Sequence, residues 1–182
     1  MTGTTTSTRD RIAASARRLF TERGFSTPVR AIAADAGVDP ALVIRHFGTK
    51  ELLFLETMKM GNTFAGMASS CPLGELGIRI VEKLLSDEFA VALPLYAAML
   101  RASDREAIRE KFRESIMANM MEPLAPRLIG PNAELRTRLI VTQIGGLLNA
   151  LAIFPEDPIL HGDKSALIEI YGRNIQHLID NT

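Results

Sequence analysis

The chain has 182 residues, 47% of them hydrophobic, and its 21 Lys+Arg balance 21 Asp+Glu to a formal net charge of zero. That length holds one large domain or two small ones with ample core, and nine prolines without a low-complexity run predict a chain that is globular except at its ends. No stretch approaches about eighteen unbroken apolar residues, which excludes a membrane-spanning helix and predicts a cytoplasmic protein, while the single cysteine, Cys71 beside Pro72, excludes an internal disulfide and reads as a loop or helix-end residue.

The zero balance conceals an asymmetry. Residues 1 to 50 carry eight basic side chains (Arg9, Arg11, Arg17, Arg18, Arg23, Arg30, Arg45, Lys50) against four acids (Asp10, Glu22, Asp35, Asp39), a net +4, and the other 132 residues carry thirteen basic and seventeen acidic groups, a net −4. A basic head on an acidic body suits a protein that meets phosphates at one end only.

In chain order, the polar opening MTGTTTS lacks the apolar core of a signal peptide and is expected to be a frayed arm. Ser7 and Asp10 form a capping-box pattern that opens an amphipathic helix, with Ile12, Ala13, Ala16, Leu19 and Phe20 on one face and Gly24 as its stop. Phe25 is expected to plug the seam with the helices that follow. Thr27-Pro28 and Asp39-Pro40 are two further starts, each a capping side chain followed by a proline that has no N–H to leave unpaired. They bracket a short helix bearing Val29, Ile32, Ala33 and Ala36, a Gly37 turn, and a second short helix with Val43 and Phe47 on its inner face. Ala41, Leu42, Ile44, Arg45 and His46 are left facing outward. Such a face suits a helix laid in the major groove of DNA, where Arg bridges guanine acceptors and apolar groups meet a thymine methyl. An ordinary helical hairpin in a bundle would show the same caps.

Thr49 and Glu51 open a fourth helix carrying Leu52, Leu53, Leu55, Met58, Met60 and Phe64 to about Ser69, read as one continuous bridge into the body. Further helices are expected near 73 to 86 (Leu76, Ile80, Leu84, Leu85), 87 to 102 (Phe89, Leu93, Tyr96, Leu100) and 104 to 121 (Ile108, Phe112, Ile116, Met120), with Asp87 and Asp104 as caps. Pro94 predicts a kink or a later start, and Pro123 and Pro126 a break after Met121. No period-two strand is visible.

Two long helices close the chain. Asn132 to Phe154, about 34 Å at 1.5 Å per residue, carries Leu139, Gln143, Gly146, Leu147, Ala150 and Phe154 on one stripe. Gly145-Gly146 in mid-helix costs about 1 kcal/mol per glycine and predicts a backbone passing very close. Asp163 to Asp180 adds Leu167, Ile170, Tyr171, Ile175, Leu178 and Ile179. A four-helix bundle made from two copies would bury these stripes, with Leu139, Gln143, Gly146, Leu147, Ala150, Phe154, Leu167, Tyr171, Ile175 and Leu178 at the interface. Completing the protomer's own core would bury them too.

The motif ARRLFTERGF, followed by TPVRAIAADAGVDPALVIRHFGTKELLF, resembles the DNA-binding head of the tetracycline-repressor-like (TetR) regulators over about 47 residues. The closing run NALAIFPEDPILHGDKSALIEIYGRNIQHLI resembles the dimerisation helices of some actinobacterial-type members. The resemblance implies an all-α fold of about nine helices: a three-helix helix-turn-helix head at residues 1–50, joined by a connecting helix to a ligand-binding and dimerisation bundle at 51–182. It implies a homodimer on a palindromic operator in double-stranded DNA, most readily a repressor, released by a small apolar effector. Ala41, Leu42 and Arg45 would face bases, and Thr27, Arg30, His46 and Lys50 would reach phosphates, Lys50 aided by the helix N-terminus beside it. Ile44 stands where many members carry a phosphate-contacting tyrosine, a role that then falls to His46. The implied ligand cavity has Phe64, Met67, Tyr96, Met99, Met117, Met120 and Met121 as candidate lining, although Met at helical spacing equally serves an ordinary core.

No nucleotide-binding, nucleophile-elbow or zinc-protease motif occurs, and His46, His161 and His177 are scattered, so neither an enzyme, a cofactor nor a metal site is expected. The alternative reading is a helical protein-interaction module without DNA binding, which would lack the steep salt dependence of phosphate contacts.

Overall fold

The computed structural model describes residues 7–59, 61, 63–154 and 162–180, which contain helices, turns and bends and no strand. The expected frayed arm at 1–6, Met60 and His161 lie outside the described residues. The chain divides into two compact units, Met1–Met60 with Pro94–Phe112, and Gly61–Leu93 with Arg113–Thr182.

The first unit is built by local capping. Helix α1 (Thr8–Arg23) begins with the predicted capping box: Ser7 Oγ accepts from Asp10 N at 3.1 Å, and Asp10 Oδ2 accepts from Ser7 N at 3.3 Å. Helices α2 (Val29–Ala36), α3 (Pro40–Phe47) and α4 (Lys50–Thr57) follow, and all three pack on α1. Their shared core includes Ile12, Phe20, Ile32, Val43, Leu53 and Phe54, each at most 1% exposed. Phe25 plugs the seam as expected, its ring 6.2 Å from Phe20 in a stacked arrangement and 5.3 Å from Phe54 edge-on. Helix α8 (Leu93–Arg101) buries Tyr96 edge-on against Phe112, 5.6 Å between centroids. Pro94 falls in its first turn, where a missing N–H costs nothing, so the predicted later start is what forms.

The expected long bridge is a correction. Helix α4 ends at Thr57, and α5 (Thr63–Ser70) is a separate helix. Thr57 Oγ1 turns back to Leu53 O at 2.8 Å, and the capping residue Met58 is 1% exposed, drawn into the core of the first unit. Burying that side chain takes the backbone off the helical path.

In the second unit α6 (Leu73–Leu84) and α12 (Lys164–Asp180) make the dominant contact. They cross glycine against glycine. A Cβ added at Gly77 would lie 2.5 Å from Gly172 O and 2.6 Å from Gln176 N. Gln176 clamps the crossing, accepting from Gly77 N at 2.8 Å and donating to Leu73 O at 2.8 Å. Helix α11 (Ala133–Ile153) was expected to supply such a crossing at Gly145-Gly146, but a Cβ at Gly145 meets nothing within 4 Å and one at Gly146 meets only Tyr171 Oη at 3.7 Å. Tyr171 on α12 reaches α11 at this point, donating to Gln143 O at 2.7 Å.

Arg136 on α11 is 5% exposed and spends its guanidinium on carbonyls: Pro131 O at 3.2 Å, Leu178 O and Ile179 O at 3.1 Å, and Ile129 O. The last turn of α12 supplies the partial negative charge that stands in for a carboxylate. Asp163 Oδ1 caps the other end of α12, accepting from Ser165 N at 2.9 Å.

The middle segment differs from expectation at three caps and one break. Ser86, not Asp87, caps the short α7 (Asp87–Ala90), because its hydroxyl reaches Phe89 N at 3.2 Å. Helix α9 (Glu106–Ile116) begins two residues after Asp104, and α2 begins after Pro28 without a side-chain cap from Thr27. Past Ile116 the chain does not break. It widens into a π-helical turn (Met117–Met121), then a single turn α10 (Glu122–Leu124) and a 3-10 turn (Ala125–Arg127), which absorb Pro123 and Pro126 before Leu128 becomes extended.

Candidate nucleic-acid interface

Helices α2 and α3 are joined at Gly37, whose left-handed backbone (φ 65) lets Gly37 N reach Ala34 O at 3.2 Å and Val38 N reach Ala33 O at 2.9 Å. Asp39 Oδ1 then caps α3 on Ala41 N at 2.7 Å. The two helices are therefore set by local bonds, with Val43 and Phe47 buried and the opposite face of α3 free.

On that face Ala41, Arg45 and His46 are exposed, Ile44 is 48% exposed and Leu42 is half-buried. Leu52, at the start of α4, is also exposed, at 55%. Thr27 is a correction. It is 3% exposed, and its hydroxyl donates to Gly24 O at 2.9 Å and Leu19 O at 3.3 Å, so it ties the α1–α2 turn together and presents no donor to a phosphate.

The basic side chains of residues 1–50 separate into two groups. Arg9 pairs with Glu56 at 2.6 Å and lies 5.0 Å above the Phe47 ring, fixing the end of α3 against α1 and α4. Arg17 donates to Thr57 O at 3.2 Å, and Arg18 bonds both Glu22 and Asp35. Asp35 is held below the ordinary carboxylate range by hydrogen bonds from Ser15 and Arg18. Arg11, Arg23, Arg30 and Arg45 are exposed and, among the described residues, take no part in an ion pair. The charge asymmetry is thus partly structural, and the cations left for a partner among the described residues are Arg30 on α2 and Arg45 on α3, with Arg11 and Arg23 on α1.

Lys50 is intermediate between the two groups. Its Nζ sits 4.5 Å over the Phe25 ring, and the Arg105 guanidinium sits 4.3 Å over the same ring. Partial burial, then repulsion from Arg105, lowers the ammonium below the usual lysine range. Arg105 lies in the α8–α9 turn, distant in sequence, and only the tertiary fold reveals it beside the head.

The candidate lining residues of the body fall in both units. Phe64 and Met120 line one small cavity, Met67 lines a shallow groove with Cys71 and Arg79, and Tyr96 and Met99 belong to the core of the first unit. Met117 and Met121 lie on the π-helical turn. Leu147 and Ile175, expected at an interface between copies, are 4% and 0% exposed within the protomer and complete its core. Leu139 and Phe154 do remain exposed, and Gln143, Ala150, Leu167, Tyr171 and Leu178 are half-buried. Among the described residues no cluster of three or more His, Cys, Asp or Glu is placed to hold a metal, and no helix is long and apolar enough to cross a membrane.

Comparison with known proteins agrees with this geometry in both halves of the chain. Residues 12–57 match the profile of bacterial regulatory proteins, tetR family, and residues 74–179 match that of the tetracyclin repressor-like C-terminal domain. No curated protein matches. A TetR-family regulator from Streptomyces coelicolor A3 is 29% identical with a TM-score of 0.61, over 98% of this chain and 97% of that one. NalD, the secondary repressor of the MexAB-OprM multidrug efflux pump in Pseudomonas aeruginosa, is 26% identical with a TM-score of 0.61, over 91% and 94%. The multidrug binding protein EbrR, solved with malachite green, shares the fold at 22% identity and a TM-score of 0.72, over 94% and 97%. The C-terminal profile alone spans more than half of the chain, the helix-turn-helix profile covers the capped α2–α3 pair, and the chain belongs to the TetR family of transcriptional regulators.

Proposed function

We propose that the protein is a cytoplasmic repressor that binds a palindromic operator as a homodimer and is released by a small apolar effector, with residues 1–50 meeting DNA and 51–182 serving effector and partner. The observation that carries this reading is the outer face of α3: Ala41 and Arg45 stand clear of the core, Leu42 stands partly so, and Arg45 takes no part in an ion pair among the described residues. Arg45 and Leu42 read bases; Arg30, His46 and Lys50 hold phosphates. For Lys50 this requires its amine to leave the Phe25 ring.

The pairing of two copies is supported by an apolar stripe on α11, where Leu135, Leu139 and Ile153 are 54%, 42% and 49% exposed and share a helix face with Thr142 and Gly146. Ile170 on α12 is 64% exposed. The repressor role is supported by NalD, itself a repressor. An effector acts as a switch only if it binds the state with low operator affinity better, typically by about 1 to 3 kcal/mol.

Selection of bound duplexes from a random pool tests the proposal. Enrichment of a palindrome with half-site centres roughly 34 to 36 Å apart is expected. Recovery of no enriched sequence, or of a single unrepeated half-site, would overturn the homodimeric operator reading.

A further inference from the structure

The second unit contains one small cavity that the DNA-binding account does not use. It is walled by Phe64, Ile80, Asn119, Met120, Leu124 and Ile144, among others, and its volume is about 10 Å³. That is the room one water molecule needs and far less than the roughly 300 Å³ or more of a typical ligand pocket.

Its chemistry is one-sided. Asn119 is the one polar side chain among the described lining residues, and none of them is ionisable. Asn119 Nδ2 donates to Ser115 O at 2.9 Å and to Ser115 Oγ at 3.2 Å, which fixes the orientation of the amide, since turning it over would set two carbonyl oxygens together. Asn119 Oδ1 is left buried without a hydrogen-bond partner among the described residues. A buried acceptor of this kind is a standing demand for a donor.

The walls can give way. Asn119 and Met120 lie on the π-helical turn Met117–Met121, a helical defect that recurs at functional sites. Met120 is an unbranched, adaptable side chain. Phe64 meets Phe89 edge-on at 5.4 Å, so an aromatic face borders the cavity.

We propose that this cavity is the closed form of the effector subsite, and that the effector is an uncharged, largely apolar, aromatic-sized molecule whose single N–H or O–H donor is accepted by Asn119 Oδ1. This deepens the effector-released repressor reading and rests on it. An ionised effector is disfavoured, because none of the lining residues carries a charge to pair with it and an unpaired buried charge is costly. Apolar contact drives entry by displacing Met120, and Asn119 selects among ligands of similar size.

The chain has no tryptophan, so indole fluorescence reports binding directly. Indole and 1-methylindole, which differ by the one donor, are titrated into the full chain and into Asn119→Leu. Indole is expected to bind the wild type at least tenfold more tightly than 1-methylindole, a difference of about 1.4 kcal/mol, and the two are expected to bind Asn119→Leu alike. Circular dichroism confirms that the variant is folded, and Asn119→Asp is a second arm, expected to weaken both probes by introducing a charge. Equal binding of both probes to wild type, a preference that survives in Asn119→Leu, or no binding of either probe at millimolar concentration would overturn the assignment. Operator binding is measured on the same samples. Intact operator binding without probe discrimination removes the subsite alone, whereas absence of any selected operator removes the regulator reading whatever the probes do.

Discussion

Replacing Gly77 by alanine tests the packing of the second unit, because two known effects oppose each other there. Alanine is favoured over glycine inside a helix by about 1 kcal/mol. Against that, the new Cβ would lie 2.5 Å from Gly172 O, 2.6 Å from Gln176 N and 2.9 Å from Gln176 Cα. All three are backbone atoms, so no rotamer relieves the clash and α6 must move off α12, stretching both Gln176 hydrogen bonds. Overpacking of this kind costs about 3 kcal/mol at the upper end of its usual range. The net is a destabilisation of about 2 kcal/mol, which for a chain of this length lowers Tm by roughly 4 to 8 °C. Gly66 on α5 is the matched control: exposed, with nothing within 4 Å of an added Cβ. There the same substitution should raise Tm by about 2 to 4 °C. Thermal melts followed by circular dichroism read both. If Gly77→Ala melted at or above the wild type, the glycine-to-glycine crossing would be wrong.

Arg136→Met keeps the apolar stem but strands carbonyls at 129, 131, 178 and 179, and should cost about 3 kcal/mol, seen as a lower urea midpoint with an unchanged m-value. Asp35 has a folded pKa below its ordinary value of 3.8, so its contribution is fully present above that value and is lost as pH falls through the lower folded value. Asp35→Asn should therefore flatten the acid limb of the stability curve, and an unchanged limb would show that the Arg18 and Ser15 contacts do not hold in solution. Leu139→Glu on the exposed α11 stripe should shift the protein toward monomer in analytical ultracentrifugation, leaving the protomer folded.

What could be read from the sequence was what local chemistry decides. Ser7, Asp39 and Thr49 cap the helices they were expected to cap, because a capping side chain reaches only two or three residues ahead. Gly37 and the buried pair Val43 and Phe47 followed from the same short-range logic, and with them the outer face of α3. Thr27 was misjudged although its sequence context matches Asp39. Its hydroxyl found Leu19 O and Gly24 O, acceptors supplied by the end of α1 that a cap pattern does not register. The Gly145-Gly146 pair advertised a close crossing, but which helices touch is a tertiary fact, and it fell to Gly77 and Gly172, 95 residues apart. Arg105 beside Phe25 and the unpartnered Asn119 Oδ1 depend likewise on contacts between distant segments. The continuous fourth helix failed for a related reason. Its apolar spacing persists through Met58, but burying that side chain outweighed continuing the helix.

The central claim, that α3 reads bases while its neighbours hold the backbone, is tested most directly by gel shifts of Arg45→Ala and Arg30→Ala on the selected operator and on random duplex. Arg30 is the better phosphate probe, since Lys50→Ala would also strip a contact from Phe25. Arg45→Ala should lose about 1 to 3 kcal/mol on the operator with little change on random DNA, and Arg30→Ala should weaken both alike. Equal losses for the two variants on both duplexes would contradict the assignment of α3 as the reading helix.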